Sequence, residues 1–214
     1  TIYTVAGGMF SVLVTDFLQF IVLSAGLIAV TILILTKIGW ERLATTVTER
    51  YAAGGFNPFL NPGMGWQYML FTALVCMAGM LTWQTTISRL LSAKDAKTGR
   101  QIYTRTSFFF ICRFLLPGIW GIAALAVLAP TAFGVLPAAF RGENSSLYAM
   151  PLFLSGFVPV GLMGLLLAAM LAADMSSTSS YMITWGSVIY NDILAPFRKT
   201  RWSGECGLLW NRAI

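Results

Sequence analysis

The feature that most limits the possible folds is residues 17–36, a run without any charged side chain. About 20 apolar residues in a helix are enough to cross the hydrocarbon of a bilayer. Three more apolar stretches follow, and we predict membrane spans at about residues 7–36, 68–88, 106–128 and 160–193. Of the whole chain, 57% is hydrophobic and 10% is charged, whereas soluble domains carry about 25% charged residues. The sequence therefore predicts an all-α, multi-pass membrane protein.

Basic residues are concentrated in two connecting segments. Residues 89–105 (RLLSAKDAKTGRQIYTR) hold five basic side chains and one acid, and Arg198, Lys199 and Arg201 follow the fourth span. The positive-inside rule places both segments in the cytoplasm, with the spans alternating in direction. We read the net charge of +6 as a sign of topology, and we expect no nucleic-acid partner. The expected location is the plasma membrane, which in a bacterium is the inner membrane.

The residue types that most enzymes and metal centres need are scarce. The chain has no histidine and three cysteines, which are not spaced as a CxxC motif. Imidazole acid–base catalysis and histidine metal ligands are therefore excluded, and the cysteines are typical of buried, inert thiols. No nucleophile stands beside a suitable base. We expect no enzymatic activity and no organic cofactor.

The most unusual stretch is residues 164–192 (GLLLAAMLAADMSSTSSYMITWGSVIYND), where Asp174 and five consecutive hydroxyl residues interrupt an apolar run. Ala173, Ser176 and Ser177 stand at i, i+3 and i+4, so they share one helix face. Two hydroxyls and a backbone carbonyl are neutral oxygen ligands suited to a hard cation. Small and hydroxyl residues also let membrane helices pack closely. From the residues alone, a cation site and a helix contact both remain open.

Other polar residues within the predicted spans have two readings each. Asp16 is either solvated near a headgroup region or lines an ion path. The polar second half of the second span, which includes Trp83 and Gln84, is either a locally broken helix facing a cavity or an ordinary helix end. Arg113 in the third span either snorkels to the interface or pairs with an acid. A short surface helix is expected at about residues 41–53, and a short re-entrant or surface helix at about residues 146–157.

Three segments together resemble the sodium/solute symporter family, which contains the bacterial proline and the sodium/glucose transporters. They are residues 3–19 (YTVAGGMFSVLVTDFLQ), residues 84–94 (QTTISRLLSAK) and residues 164–192. The resemblance implies a fold of two inverted five-helix repeats. The four spans would be core helices five to eight, and residues 1–214 would be a partial transporter domain, truncated at both ends.

The resemblance also implies a sodium site on the fourth span. In that family a carbonyl and two hydroxyls of core helix eight bind sodium together with carbonyls of helix one. The matching positions are Ala173, Ser176 and Ser177, and the acid that matches the sodium route is Asp16.

Solute contacts are implied just before the arginine of core helix six, at Trp83 and Gln84. Trp83 stands where many members have asparagine, which separates this chain from a sugar-specific pattern. Asp174 stands where valine or alanine is commonest. Its carboxylate would be a second cation or proton site, or a partner for Arg113.

The implied function is sodium-coupled secondary active transport of a small polar solute such as a sugar, an amino acid or a carboxylate. Its partners would be the sodium ion, as the coupling ion, the solute and the lipid bilayer. Two alternatives are proton-coupled symport and a membrane-embedded sensor input domain built on the same fold. A chain without the helix that completes the sodium site is expected to be inactive alone.

Overall fold

In the computed structural model, residues 2–128 and 145–197 are described, and their regular structure is entirely helical. Within these residues seven α-helices follow one another, and three of them are short. In order they are α1 (Ile2–Lys37), α2 (Trp40–Tyr51), α3 (Gly65–Thr82), α4 (Gln84–Leu91), α5 (Ala96–Leu128), α6 (Ala149–Phe157) and α7 (Val160–Val188). The predicted basic segment at residues 198–201 lies outside the described residues.

Four helices are long and apolar enough to cross a membrane, by length and composition: Gly7–Lys37, Gly65–Thr82, Ala96–Leu128 and Val160–Phe197. The prediction of an all-α membrane protein is therefore confirmed, while the pair of inverted repeats stays a prediction. The last of these stretches includes a π-helical turn, Ile189–Leu194, that continues α7.

The two short helices predicted between the spans are present, and their position at a membrane surface stays a prediction. The first is α2, which turns away from α1 at Gly39, where φ is 83°. Glycine suits this position because residues with a side chain rarely adopt a positive φ. Leu43 and Val47 stand one turn apart on α2 and are both buried, so its apolar face closes over the bundle. The second is α6, which is preceded by a 3-10 turn and ends just before Pro159.

The apolar core lies where α1 ends, and α5, α6 and α7 meet it there. Its members are Val30, Ile34, Leu43, Trp120, Ala123, Ala124, Ala126, Phe153, Leu154, Val158 and Leu166. The Trp120 indole N–H donates to Thr31 Oγ1 at 2.8 Å, and Thr31 in turn donates to the Leu27 carbonyl at 2.7 Å. The buried Thr31 therefore satisfies the only polar atom of the indole and joins α5 to α1.

The most extensive helix contact in the described chain is between α1 and α7. A Cβ atom added to Gly26 of α1 would lie 3.1 Å from the Cβ of Ala169 on α7, so the backbones approach closely here. Ala169 and Ala172 are buried in this contact. The small residues of α7 therefore do serve helix packing, as one of the two sequence interpretations held.

The helix α3 stands apart from this bundle. None of its residues is buried against the rest of the described chain, and its tertiary neighbour is α4. Large apolar side chains such as Phe71 and Leu74 are exposed along it. An apolar surface of this kind is expected where a helix is surrounded by lipid or by further protein.

Candidate functional site

Four polar side chains from three helices meet between α1, α4 and α7, and we call them the polar cluster: Asp16, Arg89, Ser176 and Ser180. Arg89 forms an ion pair with Asp16 Oδ2 and also donates to Ser180 Oγ. Ser176 Oγ donates to Asp16 Oδ1 at 2.7 Å. Ser180 Oγ donates to the Ser176 carbonyl at 2.7 Å. Each carboxylate oxygen of Asp16 thus accepts from a different helix.

A break in the second span brings Arg89 to this cluster. Trp83 separates α3 from α4 with φ −69° and ψ 105°, outside the helical range. The Trp83 N–H still donates to the Gly79 carbonyl at 2.8 Å, and the Trp83 carbonyl accepts from Thr86 N at 3.0 Å. The break changes the direction of the chain and lets α4 pack against α7. It agrees with the broken-helix interpretation rather than with an ordinary helix end.

The ion pair with Arg89 defines the surroundings of Asp16 in the bundle. Its side chain is 17% exposed and that of Arg89 is 38% exposed. An unpaired carboxylate within a membrane span costs several kcal/mol. Hydrogen bonds to charged groups offset that cost: the ion pair itself, the bond from Arg89 to Ser180 and the bond from Ser176 to Asp16. Asp16 is therefore held within the bundle by protein groups.

The three residues implied as sodium ligands share one face of α7 but differ in exposure. Ser176 belongs to the polar cluster, Ala173 is half-buried and Ser177 is exposed in the described chain. The structure thus brings Ser176 to Asp16 and leaves Ser177 uncovered by any described element. Within residues 2–128 and 145–197, no group of three or more Cys, Asp or Glu side chains is placed to hold a metal. A cation here would be bound by hydroxyl and carbonyl oxygens.

Both residues implied as solute contacts lie at the helix break beside this face. The Trp83 ring is 6.4 Å from the Tyr181 ring, centroid to centroid. Tyr181 stands one helical turn beyond Ser177, so Trp83 is near the hydroxyl face of α7. Gln84 begins α4 and is exposed. The aromatic pair and the amide are available to a ligand in the described chain.

Asp174 and Arg113 do not meet. Both side chains are exposed, and the one ion pair among the described residues is that of Asp16 with Arg89. The suggestion that Asp174 pairs with Arg113 is therefore wrong, since the acid on α7 and the base on α5 face different surroundings. A cation or proton role for Asp174 stays a prediction.

Sequence reasoning missed the roles of Arg89 and Ser180. Arg89 was considered only as the first residue of a cytoplasmic basic segment, whereas Arg113 was considered as the basic residue within the membrane. The available signal was the position of Arg89 directly after a polar half-span, because an acid in an apolar span needs a basic partner. A further polar atom was also missed: Gln19 Oε1, one turn after Asp16, is buried and has no hydrogen-bond partner among the described residues.

The comparisons with known proteins point to one family. The model of the sodium:solute symporter family matches residues 1–214. The chain is 31% identical to the sodium/mannose cotransporter SLC5A10 of Bos taurus, over 97% of this chain and 38% of that protein. It is 29% identical to the sodium/sialic acid symporter SiaT of Proteus mirabilis, over 95% of this chain and 41% of that protein. It is 27% identical to the sodium/glucose cotransporter 4 of Danio rerio, over 90% of this chain and 33% of that protein.

The chain thus spans between a third and about two-fifths of the length of these curated relatives. No solved structure matches it significantly. The relatives are transporters by name, and their named solutes are sugars or a sugar acid.

Proposed function

Because the chain belongs to the sodium:solute symporter family, we propose that it forms the part of a sodium-coupled symporter that binds the coupling ion. The observation that carries this proposal is the hydrogen bond from Ser176 to Asp16 Oδ1, 2.7 Å long. It links an acid on α1 to the hydroxyl that the family pattern assigns to sodium. The proposed activity is transport of a small polar solute, without an enzymatic step.

The hydrogen bond prepares Ser176 to bind a cation. A hydroxyl that donates its proton to a carboxylate keeps both oxygen lone pairs free to accept. The carboxylate also polarises the O–H bond, which makes the oxygen a better ligand. Ser177 and the Ala173 carbonyl, on the same helix face, supply further neutral oxygens. Asp16 is thus a positioning group for the site, and the remaining ligands come from segments other than α7.

The charge of the site sets the driving force. The hydroxyl and carbonyl ligands are neutral, and the carboxylate of Asp16 is balanced by Arg89. Each sodium ion therefore carries its own charge across the membrane, which is worth about 2.3 kcal/mol per 100 mV. Transport is electrogenic for a neutral solute, and an anionic solute cancels part of that charge.

Trp83 and Gln84 indicate the class of solute. Gln84 presents a carbonyl oxygen and an amide group at the start of α4, and both can bond hydroxyl groups. Trp83 offers a flat apolar surface for the apolar face of a ring. The relatives named for mannose, glucose and sialic acid support a polyhydroxylated solute. Linkage requires that solute tighten sodium binding by the same factor that sodium tightens solute binding.

The first experiment measures sodium binding without a solute. The full-length protein is titrated with sodium chloride, and in a parallel experiment with potassium chloride, while its tryptophan fluorescence is followed. Tryptophan fluorescence is chosen because Trp83 lies beside the hydroxyl face of α7. We expect a saturable, sodium-specific change that disappears in Ser176→Ala/Ser177→Ala. The matched control is Ser155→Ala/Ser187→Ala, which removes two hydroxyls that bond carbonyls of their own helices. The control should bind sodium as the wild type does.

Three results separate this proposal from its alternatives. Loss of the response in Trp83→Phe, with sodium-dependent solute uptake retained, would identify Trp83 as the reporter. A response to pH instead of sodium, abolished by Asp174→Asn, would replace the proposal with proton coupling. A sodium response that survives removal of both hydroxyls would contradict the assigned ligands.

A further inference from the structure

The first turns of α5 carry a basic surface that the transport proposal does not use. A cleft of about 380 Å³ is lined by Lys97, Arg100, Gln101, Thr104 and Arg105. These residues stand at i, i+3, i+4, i+7 and i+8, so they form one face of the helix. All five side chains are exposed in the described chain. We call this face the basic stripe.

The length of α5 places the basic stripe at the membrane surface. The helix has 33 residues, and about 20 are enough to cross the hydrocarbon. If the C-terminal part of the helix crosses, roughly the first 13 residues remain outside the hydrocarbon, at 1.5 Å of rise each. Lys97, Arg100 and Arg105 are in this part, and the positive-inside rule puts them on the cytoplasmic side. The stripe therefore lies at the level of the lipid headgroups.

The same helix face continues into the membrane as an apolar surface. Phe108, Ile111 and Leu115 stand below Thr104 at helical intervals, and they are 65%, 58% and 59% exposed. On the opposite side of the helix, a Cβ added to Gly99 would approach Leu90 of α4 at 2.9 Å. The close contact with α4 at Gly99 thus lies on the other side of α5, and this face is open in the described chain from its basic part to its apolar part.

The charge near the basic stripe is strongly one-sided. Lys94 joins the stripe's three basic residues, and the nearby acid is Asp95. Its carboxylate faces the first turn of α5, where Asp95 Oδ1 accepts from Thr98 N at 2.6 Å. Asp95 is therefore engaged as a helix cap, and the partial positive charge of the helix N-terminus adds to the basic side chains.

We propose that the basic stripe binds the headgroup of an anionic phospholipid, whose acyl chains lie along Phe108, Ile111 and Leu115. A free phosphate would use the basic part of this face only, whereas a phospholipid matches both parts and their order along the helix. Basic residues next to a membrane helix contribute about a factor of five in affinity each for an anionic lipid surface. This inference is independent of transport and concerns the lipid that surrounds the protein.

The test is native mass spectrometry of the purified protein, titrated with phosphatidylglycerol or with phosphatidylcholine of the same acyl chains. We expect phosphatidylglycerol to bind at least tenfold more tightly. In Lys97→Gln/Arg100→Gln its affinity should fall about 25-fold, from two factors of about five, while phosphatidylcholine binding stays unchanged. Lys97→Arg/Arg100→Lys keeps both charges and should retain the preference.

The matched control removes two exposed charges from the opposite end of the bundle, in Arg42→Gln/Arg50→Gln on α2. Its affinity for phosphatidylglycerol should stay within twofold of the wild type. Equal binding of both lipids by the wild type would overturn the proposal, and so would a preference for phosphatidylglycerol that is undiminished in Lys97→Gln/Arg100→Gln. Displacement of the lipid by inorganic phosphate or glycerophosphoglycerol at a similar concentration would also overturn it, because the acyl chains would then contribute nothing.

Discussion

Substituting Arg89 and substituting Asp16 should lower the free energy of unfolding by different amounts, although both changes remove the same ion pair. Arg89→Gln removes the pair and the hydrogen bond to Ser180, and it leaves the less exposed partner, Asp16, with one donor. Asp16→Asn removes the pair but keeps an oxygen that accepts from Ser176, and the more exposed Arg89 can reach water or headgroups. We therefore expect Arg89→Gln to be the more destabilising substitution.

The magnitudes follow from the hydrogen bonds. A bond to a charged group contributes about 1.5 to 3 kcal/mol, and the exposure of Arg89 favours the lower part of that range. We expect Arg89→Gln to lower the free energy of unfolding by about 2 to 3 kcal/mol and Asp16→Asn by about 1 to 1.5 kcal/mol. The coupling free energy from the double variant should be about 1 to 2 kcal/mol. At this chain length, 1 kcal/mol corresponds to roughly 2 to 4 °C in Tm.

The assay is a double-mutant cycle by equilibrium unfolding in mixed micelles, with Tm as a second readout. The control cycle uses Asp174→Asn and Arg113→Gln, an acid and a base on α7 and α5 that form no ion pair in the described chain. Its coupling free energy should be near zero. If the cycle of Asp16 with Arg89 gave no more coupling than the control cycle, the reasoning from the polar cluster would be refuted.

Two further predictions concern the scaffold around the site. Thr31→Val leaves the buried Trp120 indole N–H without its acceptor, so the free energy of unfolding should fall by about 1 to 3 kcal/mol. A Tm equal to that of the wild type would show that another acceptor replaces Thr31. The second concerns pH: the hydroxyl and the N–H of Thr98 hold the pKa of Asp95 below its ordinary value of 3.8. Its capping contribution should be complete above that value and lost as pH falls through the lowered pKa. Asp95→Asn keeps the cap without the titration, so its Tm should fall less than the wild type's between pH 5 and pH 3; parallel curves would count against a role for this carboxylate.

Composition and periodicity predicted the helical membrane class because lipid leaves few choices. In hydrocarbon every backbone group must be satisfied within its own segment, so a long apolar run such as residues 17–36 becomes a helix. The start of α5 at Ala96, well before the predicted span at residue 106, was less accessible. Its first turns are polar, and they are helical through the Asp95 cap rather than through apolar periodicity.

The candidate site was predicted only in part, for a physical reason. Ser176 and Ser177 were visible because their spacing on one helix is local. The partners of Asp16 lie far along the chain, and no periodicity reports which of several basic residues will reach a given acid. Arg113 was considered as the base that pairs with an acid, but the break at Trp83 redirects α4 and brings Arg89 to Asp16 instead. The break itself was one of two interpretations of the polar second half of the span, and its direction was not predicted.

The bundle holds its two ends together by different forces. At the end formed by Thr31, Trp120 and Phe153, α1, α5 and α6 are joined by buried apolar surface, which neither ions nor headgroups can replace. At the end formed by Asp16, Arg89 and Ser176, the helices are joined by charges and hydroxyls, for which water, sodium and other donors can substitute at little cost. Local opening should therefore begin between α1 and α7 at the polar end, while the apolar end stays closed. The described chain would then expose its polar interior at that end alone.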